Sequence, residues 1–176
     1  MKIIITLLSG IAILIVVLLI VAVFVRKDYS IHRQIVINRH ANEVFDFVRY
    51  LKNQEQYNKW VMVDPNMKKE LKGIDGTVGF VYAWDGNDQA GKGEQQITNI
   101  TANQIVESRI HFIRPFEGNA RIVLITESVA DNQTKVDWTM SGTSKYPMNL
   151  TNLFVDSMLG KDMETSLNSL KTILEK

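Results

Sequence analysis

The hydrophobic pattern divides the chain into one long apolar segment and a mixed remainder. Residues 3–25 contain 23 residues with no charge and no proline. At about 1.5 Å rise per residue, a helix of this length crosses a hydrocarbon core of about 30 Å. The pattern therefore predicts a transmembrane anchor in residues 1–27, which meets the bilayer through residues 3–25, and a folded domain in residues 28–176.

A cleaved signal peptide is the alternative interpretation of the apolar segment. The apolar region of a signal peptide is usually about 7–15 residues long and ends at a small-x-small site. This segment is longer and ends in VAVFVRKD, which favours an uncleaved anchor. Arg26, Lys27 and Arg33 follow the segment and Lys2 precedes it, so the positive-inside rule favours a cytoplasmic domain. Anchors with a one-residue polar head also occur with the domain outside, and both orientations stay open.

The domain begins with one strand pattern followed by short helical patterns. Alternation of apolar and polar residues predicts a first strand over Tyr29–Asn38. The segment NRHANEVFDFVRYL places its apolar residues on one helical face, with Asn38 or a near neighbour as its cap. A second short polar helix is predicted from about Asn53 to Lys59, ending at Trp60, and Pro65 then breaks the chain.

The middle and the end of the domain predict a strand meander and a long helix. The strand patterns are MKKELKG, GTVGFVYAWD, KGEQQITNIT, QIVESRIHFI, ARIVLITESV and KVDWTMSG, separated by turns rich in Asn, Asp and Gly. A helix is predicted from Asn149 to Glu175, with an apolar face formed by Leu150, Leu153, Phe154, Met158, Leu167, Leu170 and Leu174. This order predicts the α+β class, with helices on one face of an antiparallel sheet.

Composition changes this picture little. The formal net charge of the 176 residues is +1, which is not the clustered basic footprint of a nucleic-acid-binding protein. The chain has no cysteine, so it has neither disulfides nor thiolate chemistry. We therefore expect no nucleic-acid partner, and the oligomeric state stays open.

The segment GNDQAGKG, residues 86–93, matches the spacing of a phosphate-binding loop but lacks its chemistry. Gly93 stands where such a loop needs a Ser or Thr for Mg²⁺, and a strand pattern follows where a helix should begin. A calcium loop also fails, because Ala90 and Gln96 replace the required Gly and Glu. The segment predicts a hairpin in which Gly86, Gly91 and Gly93 permit positive φ in the turn and in a bulge.

Two sets of charged residues are candidates for acid–base chemistry. Glu107, Arg109 and His111 share one strand face opposite an apolar face, so we expect them outside the core as cross-strand partners. In the reverse register they would line a cavity and become an acid–base candidate. Carboxylates in the last helix pattern (Asp156, Asp162 and Glu164) are expected on its polar face, with a catalytic pair as the alternative.

Metal and nucleophile signals are weak. The chain has three histidines, and no two of them have the spacing of local metal ligands. No serine lies in a G-x-S-x-G turn. We therefore predict no metal site, no catalytic residue and no cofactor.

The order of elements resembles the START and pollen-allergen superfamily, in its polyketide-cyclase-like branch (SRPBCC). The resemblance covers about residues 28–176. It rests on IVINRHANEVFDFV followed by Trp60, on WDGNDQAGKGEQQIT, on Pro115–Phe116 after a strand, on KVDWTMSG, and on DSMLGKDMETSLNSLK. It implies a helix-grip fold, in which a curved antiparallel sheet wraps around a long C-terminal helix with a cavity between them. It implies no particular reaction, because this superfamily includes lipid carriers, receptors, cyclases and bare binding modules.

An aromatic and methionine lining is the remaining candidate site. Gly160 interrupts the long helix, which indicates either a close approach of the sheet backbone or open space beside the helix. An apolar pocket with a few polar groups is the default binding site. The predicted ligand-binding residues are Trp60, Phe80, Tyr82, Trp84, Ser108, Phe112, Thr126, Trp138, Met140, Phe154 and Met158.

Three functions are compatible with this sequence. The first is a membrane-anchored module that binds a small hydrophobic or amphipathic ligand without covalent chemistry. The second is an enzyme of the cyclase or hydratase kind that uses an acid or base in the cavity. The third is a structural or interaction module with a filled core.

Overall fold

The computed structural model describes residues 2–176, which form one apolar helix followed by an α+β domain. The elements in chain order are α1 (Lys2–Phe24), β1 (Asp28–Ile37), α2 (Ala41–Val48), a 3₁₀ turn (Leu51–Asn53), α3 (Gln54–Tyr57), α4 (Lys59–Met62), β2 (Lys68–Lys72), β3 (Val81–Asp85), β4 (Lys92–Thr101), β5 (Ile105–Arg114), β6 (Gly118–Ala130), β7 (Gln133–Thr143), a second 3₁₀ helix (Met148–Leu153) and α5 (Val155–Leu174). We call the second 3₁₀ helix the linker helix.

The strands within residues 2–176 form a single sheet. Its order is β1-β7-β6-β5-β4-β3-β2, and every neighbouring pair is antiparallel. The strands from β2 to β7 are joined in sequence as hairpins, and β1 returns to pair with β7 from Asp28↔Thr143 to Ile37↔Thr134. With the long α5 across the curved sheet, this is the predicted helix-grip fold, which is confirmed.

The alternation of side chains along the strands gives the sheet one buried face and one polar face. On the inner face, registered neighbours such as Ile31, Met140 and Ile122 are all buried and pack in one hydrophobic core. Met163, Leu167 and Leu170 of α5 belong to the same core. A second, smaller cluster of Leu51, Phe80, Tyr82 and Ile97 fills the β3 side of the sheet. Apolar burial in these clusters is the main force that holds α5 against the sheet.

The C-terminal helix begins later than predicted, and the row of residues that faces the sheet differs from the predicted apolar face. The segment before Val155 is the linker helix, and Phe154 breaks the regular helix between the two. The row of α5 that faces the sheet repeats every four residues and consists of Val155, Leu159, Met163 and Leu167. Met158 is one residue, about 100°, away from this row. The predicted inward orientation of Phe154 and Met158 is therefore wrong, since they are 62% and 64% exposed.

Smaller differences from the prediction concern helix ends. The N-cap of α2 is His40, without a side-chain cap, whereas the Asn38 side chain accepts a hydrogen bond from Gln133. The second predicted helix is a 3₁₀ turn followed by α3 and α4, and Trp60 lies inside α4. Val78, which belongs to the predicted strand GTVGFVYAWD, precedes β3 and is exposed.

A charged residue on the inner face of β1 fastens α5 to the sheet. The Arg33 guanidinium donates hydrogen bonds to Asp156 at 2.9 Å and to Glu164 at 2.6 Å. Gly160 lies between these two carboxylates along α5 and faces Arg33 directly. A Cβ atom at Gly160 would lie 2.5 Å from Arg33 Cζ, which is closer than van der Waals contact allows. The glycine therefore makes room for the arginine side chain, which is neither of the two explanations expected from the sequence.

We expect Gly160→Ala to lower the free energy of unfolding by about 1 kcal/mol, although alanine is the better helix former. The added methyl group displaces the Arg33 guanidinium from its carboxylate partners. With Arg33→Ala as the background, the same substitution should instead raise stability by about 1 kcal/mol, the ordinary difference between Gly and Ala in a helix. Denaturant unfolding of the four proteins measures both values. An equal loss in both backgrounds would contradict the role given to Arg33.

Candidate functional site

A large cleft lies at the end of the sheet where α1 joins the domain. Its volume is about 1690 Å³. Its inner-face residues include Tyr29, Ser108, Phe112, Ala120 and Gly142, and its outer-face residues include Glu107, Arg109, Arg121 and Ser141. Residues from both faces of one sheet cannot enclose a single chamber. The cleft is therefore an open groove that bends around the sheet end, with the β5–β6 hairpin and the linker helix beside it.

The inner side of this groove is apolar with a small polar group at its base. Phe112 meets the Trp84 ring edge to face, with ring centroids 6.4 Å apart and an interplanar angle of 80°. The buried Ser108 hydroxyl accepts a hydrogen bond from the Gln95 amide at 2.7 Å. Beside Phe112, Gly118 has open space where a side chain would extend. This combination of an aromatic wall, a hydroxyl and free volume suits a small amphipathic molecule.

Tyr29 closes the β1 side of the groove. Its ring packs over Gly142, where an added Cβ atom would lie 2.6 Å from the Tyr29 hydroxyl oxygen. Burial raises the pKa of Tyr29 above its usual value. The phenol therefore stays neutral at physiological pH and offers a hydrogen-bond donor at the groove wall.

The outer side of the groove has the polar character expected from the sequence. Glu107 accepts a hydrogen bond from Arg121 at 2.7 Å, and His111 lies 3.1 Å from Asn119. Both contacts join neighbouring strands β5 and β6. The expected cross-strand pairing of Glu107 and His111 on the outer face is confirmed.

The predicted ligand-binding residues occupy several different places. Only Ser108 and Phe112 line the groove. The others within the described chain lie in the hydrophobic clusters (Trp60, Phe80, Tyr82, Trp138 and Met140), under the β3–β4 hairpin (Trp84), at the β4–β5 turn (Thr126) or on the surface (Phe154 and Met158). No residue of α5 lines the groove, so the open volume is displaced from the expected position between sheet and helix.

Polar atoms of these clustered aromatic residues mostly have partners within the protein. The Tyr82 hydroxyl donates to Glu55 at 3.0 Å, and burial together with this bond raises the pKa of Tyr82. The Trp60 indole donates to Asp162 at 3.1 Å, and its ring meets Trp138 edge to face at 5.9 Å. The buried Trp138 indole nitrogen has no partner within residues 2–176.

The carboxylates of α5 serve as structural partners. Asp156 and Glu164 bind Arg33, and Asp162 pairs with Lys59 and Trp60. Among the described residues, the buried polar side chains are amides and hydroxyls: Gln54, Asn58, Gln95, Ser108, Thr126, Thr134, Asn149 and Ser166. Likewise, residues 2–176 contain no group of three or more potential metal ligands. The interior is thus equipped for packing and hydrogen bonding.

The segment GNDQAGKG forms the predicted hairpin between β3 and β4, which pair from Asp85↔Lys92. Only Gly91 of its three glycines has positive φ, at 67°. A Cβ atom at Gly93 would lie 2.7 Å from Trp84 Cζ2, so Gly93 is needed for space instead. The Trp84 indole donates to the carbonyl of Ala90 at 3.1 Å. Trp84 therefore secures the hairpin at its base and at the same time supports Phe112 of the groove.

The junction between α1 and the domain is the feature that sequence reasoning missed. The buried Asn149 amide donates to the carbonyls of Ala22 at 2.6 Å and Val25 at 2.8 Å. Asn152 donates to the carbonyls of Arg26 at 3.0 Å and Lys27 at 2.8 Å. The sequence signal for this junction is a pair of asparagines three residues apart after Pro147. It could not identify their partners, because those carbonyls lie more than 120 residues away in the chain.

No protein-family model matches the sequence, and no curated protein matches it. Solved structures do resemble the domain. Ara h 8.0201 has a TM-score of 0.62 at 12% identity, covering 84% of this chain and 97% of its own. A hypothetical protein from Helicobacter pylori has a TM-score of 0.63 at 12% identity, covering 83% and 88%. DynU16, from the dynemicin biosynthetic locus, has a TM-score of 0.57 at 12% identity, covering 84% and 47%. At these identities the likeness shows the fold alone.

Acid should weaken the attachment of α5 through Asp156. The hydrogen bond from Arg33 lowers the pKa of Asp156 below its usual value of 3.8. The stabilisation by this ion pair is therefore complete at pH values above the pKa of Asp156 in the unfolded chain. It is lost as the pH falls through the lower pKa of Asp156 in the folded protein. We expect the difference in unfolding free energy between the wild type and Asp156→Asn to be constant near neutral pH and to shrink below about pH 4.

Urea unfolding of the full chain between pH 7 and pH 2.5 measures this difference. Asp88→Asn is the matched control, because Asp88 is exposed in the β3–β4 hairpin and has no ion pair within the described chain. This control should differ little from the wild type. A difference for Asp156→Asn that stays the same at pH 2.5 as at pH 7 would show that the Asp156 carboxylate is not the group that titrates.

Proposed function

We propose that this protein is a single-pass membrane-anchored module that binds a small hydrophobic or amphipathic ligand without covalent chemistry. The observation that carries the proposal is the groove beside the anchor, with its apolar inner wall at Phe112 and the hydroxyls of Ser108 and Tyr29. The volume of about 1690 Å³ spans both sides of the sheet end, and the proposed site is its inner part. The ligand class follows from this lining, which offers apolar contact on one side and hydrogen bonding on the other.

The exposure of α1 supports the membrane anchor. Residues Ile3–Phe24 are long and apolar enough to cross a bilayer, and only 6% of the most apolar window is buried in the protein. The core helix of a water-soluble protein would be mostly covered. An exposed apolar surface of this length is stable in lipid and unstable in water, which favours the anchor.

Fewer free basic residues flank α1 on the domain side than the sequence alone indicates. Arg33 does not serve as a free juxtamembrane charge, because it is bound to Asp156 and Glu164 within the fold. Arg26 and Lys27 remain on the domain side of the anchor. Under the positive-inside rule they support a cytoplasmic domain as part of the proposal.

Membership of the SRPBCC superfamily is also proposed. The helix-grip fold and its likeness to Ara h 8.0201 and DynU16 support it, together with the sequence features that resemble the polyketide-cyclase-like branch. The buried amides and hydroxyls favour binding over acid–base catalysis, since none of them titrates near neutral pH.

One observation favours a second candidate function. The space between α5 and the sheet is filled by side chains of both, including Met163, Leu167 and Met140. A filled core is what a structural or interaction module would need. The two candidates differ in whether the groove at the anchor end is occupied by a small molecule.

Filling the groove should weaken the binding of an amphipathic probe. The probe is a diazirine-bearing fatty acid, added to the full chain in lipid nanodiscs and cross-linked by light. Gly118→Leu places a side chain into the open space beside Phe112, on the inner face. We expect cross-linking of the β5–β6 peptides to fall about tenfold, equivalent to about 1.4 kcal/mol of binding free energy. Peptide mass spectrometry locates and quantifies the label.

The matched control is Ser30→Leu, which adds the same side chain to the outer side of the same groove. This variant should retain the labelling of the wild type, and an excess of unlabelled oleate should compete with the probe in both. Labelling confined to α1, or equal labelling of Gly118→Leu and Ser30→Leu, would favour the interaction module.

A further inference from the structure

Several exposed apolar residues lie in the β5–β6 hairpin, in the linker helix and in the first turn of α5. We call them the apolar rim: Phe116, Met148, Leu153, Phe154 and Met158. Phe116, at 68% exposure, lies in the β5–β6 hairpin, and Met148 and Phe116 both line the groove. The sequence predicted that Phe154 and Met158 belong to a ligand site, and neither that site nor the hydrophobic core uses them. Large apolar side chains clustered on a surface usually mark a contact with a partner or a membrane.

The linker helix holds this rim at a fixed position beside α1. In addition to the bonds from Asn149 and Asn152, the Tyr146 hydroxyl donates to the carbonyl of Leu19 at 3.3 Å. Leu19 lies five residues before Phe24, the end of α1, which is about 7.5 Å along the helix axis. Tyr146 therefore lies alongside the last turns of the apolar helix. Tyrosine is enriched at this depth in membrane proteins, where the headgroups meet the hydrocarbon.

The asparagine contacts themselves fit an environment that is poor in water. The last carbonyl groups of a helix have no partner within the helix, and in water the solvent satisfies them. At the edge of a bilayer, such carbonyls need a donor from the protein. Asn149 and Asn152 supply donors to the carbonyls of Ala22, Val25, Arg26 and Lys27, so these four backbone groups at the end of α1 have partners within the protein.

Basic side chains lie at the junction together with acidic ones, since Asp28 and Glu117 line the same groove. Arg26, Lys27 and Lys145 are exposed, and within residues 2–176 none of them forms an ion pair. Arg26 and Lys145 line the groove together with Met148. Basic side chains next to apolar ones are the combination that binds a surface of anionic lipids.

We propose that the apolar rim is inserted into the surface of the bilayer that α1 crosses, so that the groove opens toward the lipid. This inference rests on the anchor in the proposed function and adds the direction from which the ligand enters. An amphipathic molecule can then move from the bilayer along Phe116 and Met148 to Phe112 without crossing water. The occupant of the rim is the lipid surface; a second copy of the chain or another protein would be a different result.

Absence of cysteine makes the test direct, because a single introduced cysteine is the only labelling site. The full chain is reconstituted into phosphatidylcholine–phosphatidylglycerol vesicles with an environment-sensitive fluorophore at one position. Phe154→Cys and Met158→Cys report on the rim, and Val16→Cys reports on the anchor. Val129→Cys is the matched control, since Val129 is an apolar residue 48% exposed at the opposite end of β6. Lipids with a nitroxide group on the upper acyl chain serve as quenchers.

We expect strong quenching at Val16→Cys, Phe154→Cys and Met158→Cys. At Val129→Cys we expect at most about one fifth of that quenching, because most of the length of β6 separates this position from the anchor end. The inference would be overturned, and the anchor would stand, if the nitroxide lipids quench the probe at Val16→Cys but quench the rim probes no more than the probe at Val129→Cys. Rim probes in an apolar environment that nitroxide lipids do not quench would show a protein partner on the rim. Absence of quenching at Val16→Cys would overturn the anchor as well as the inference, whereas the fatty-acid labelling tests the groove separately.

Discussion

The fit of the Arg33 guanidinium against Gly160 determines where this protein can have open space. A charged side chain on the inner face of β1 would be costly to bury, and its bonds to Asp156 and Glu164 compensate for that cost. Because Gly160 has no side chain, the Arg33 guanidinium fits between β1 and α5, while Met163 and Leu167 pack in the core. The space under the helix is filled as a result, and the open volume lies at the anchor end.

Close packing of large residues against glycine recurs at two other places on the inner face. Trp84 lies against Gly93, and Tyr29 lies against Gly142. In each pair the large side chain comes from one strand and the glycine from its neighbour in the sheet. Both of these pairs border the groove, since Trp84 supports Phe112 and Tyr29 closes the β1 side. The same local packing that stabilises the sheet therefore also shapes the candidate site.

The sequence predicted what depends on local periodicity. Alternation along each strand was sufficient to place Val106 and Ser108 inside and Glu107 and Arg109 outside, because a buried sheet face imposes a period of two. Turn residues located the hairpins, and the order of elements indicated the helix-grip fold. These features require only neighbouring residues, so a single sequence contains them.

What the sequence did not predict depends on contacts between distant segments or on a change of helix type. The pattern from Leu150 to Leu174 predicted one helix face, but the residues before Val155 form a 3₁₀ helix with a different angle per residue. Met158 lies inside α5, nine residues before Leu167, and at about 100° per residue the two side chains point to opposite sides of the helix. Gly160 signalled an unusual contact, yet only the fold identifies Arg33 as its partner. Asn149 is polar within an apolar pattern, and its partners at the end of α1 cannot be deduced from spacing.

The two ends of the sheet differ in what they offer a ligand. At the β6–β7 turn, the buried Thr134 hydroxyl donates to the carbonyl of Arg39, which ties the first helical segment to the sheet and leaves that end closed. At the α1 end, the side-chain amide nitrogens of Asn149 and Asn152 donate to backbone carbonyls at the end of α1 and just after it, and apolar side chains of the linker helix are exposed. An arrangement that buries amides and exposes Phe154 is unfavourable in water. It becomes favourable where the surroundings are apolar, and the proposed bilayer would supply such surroundings.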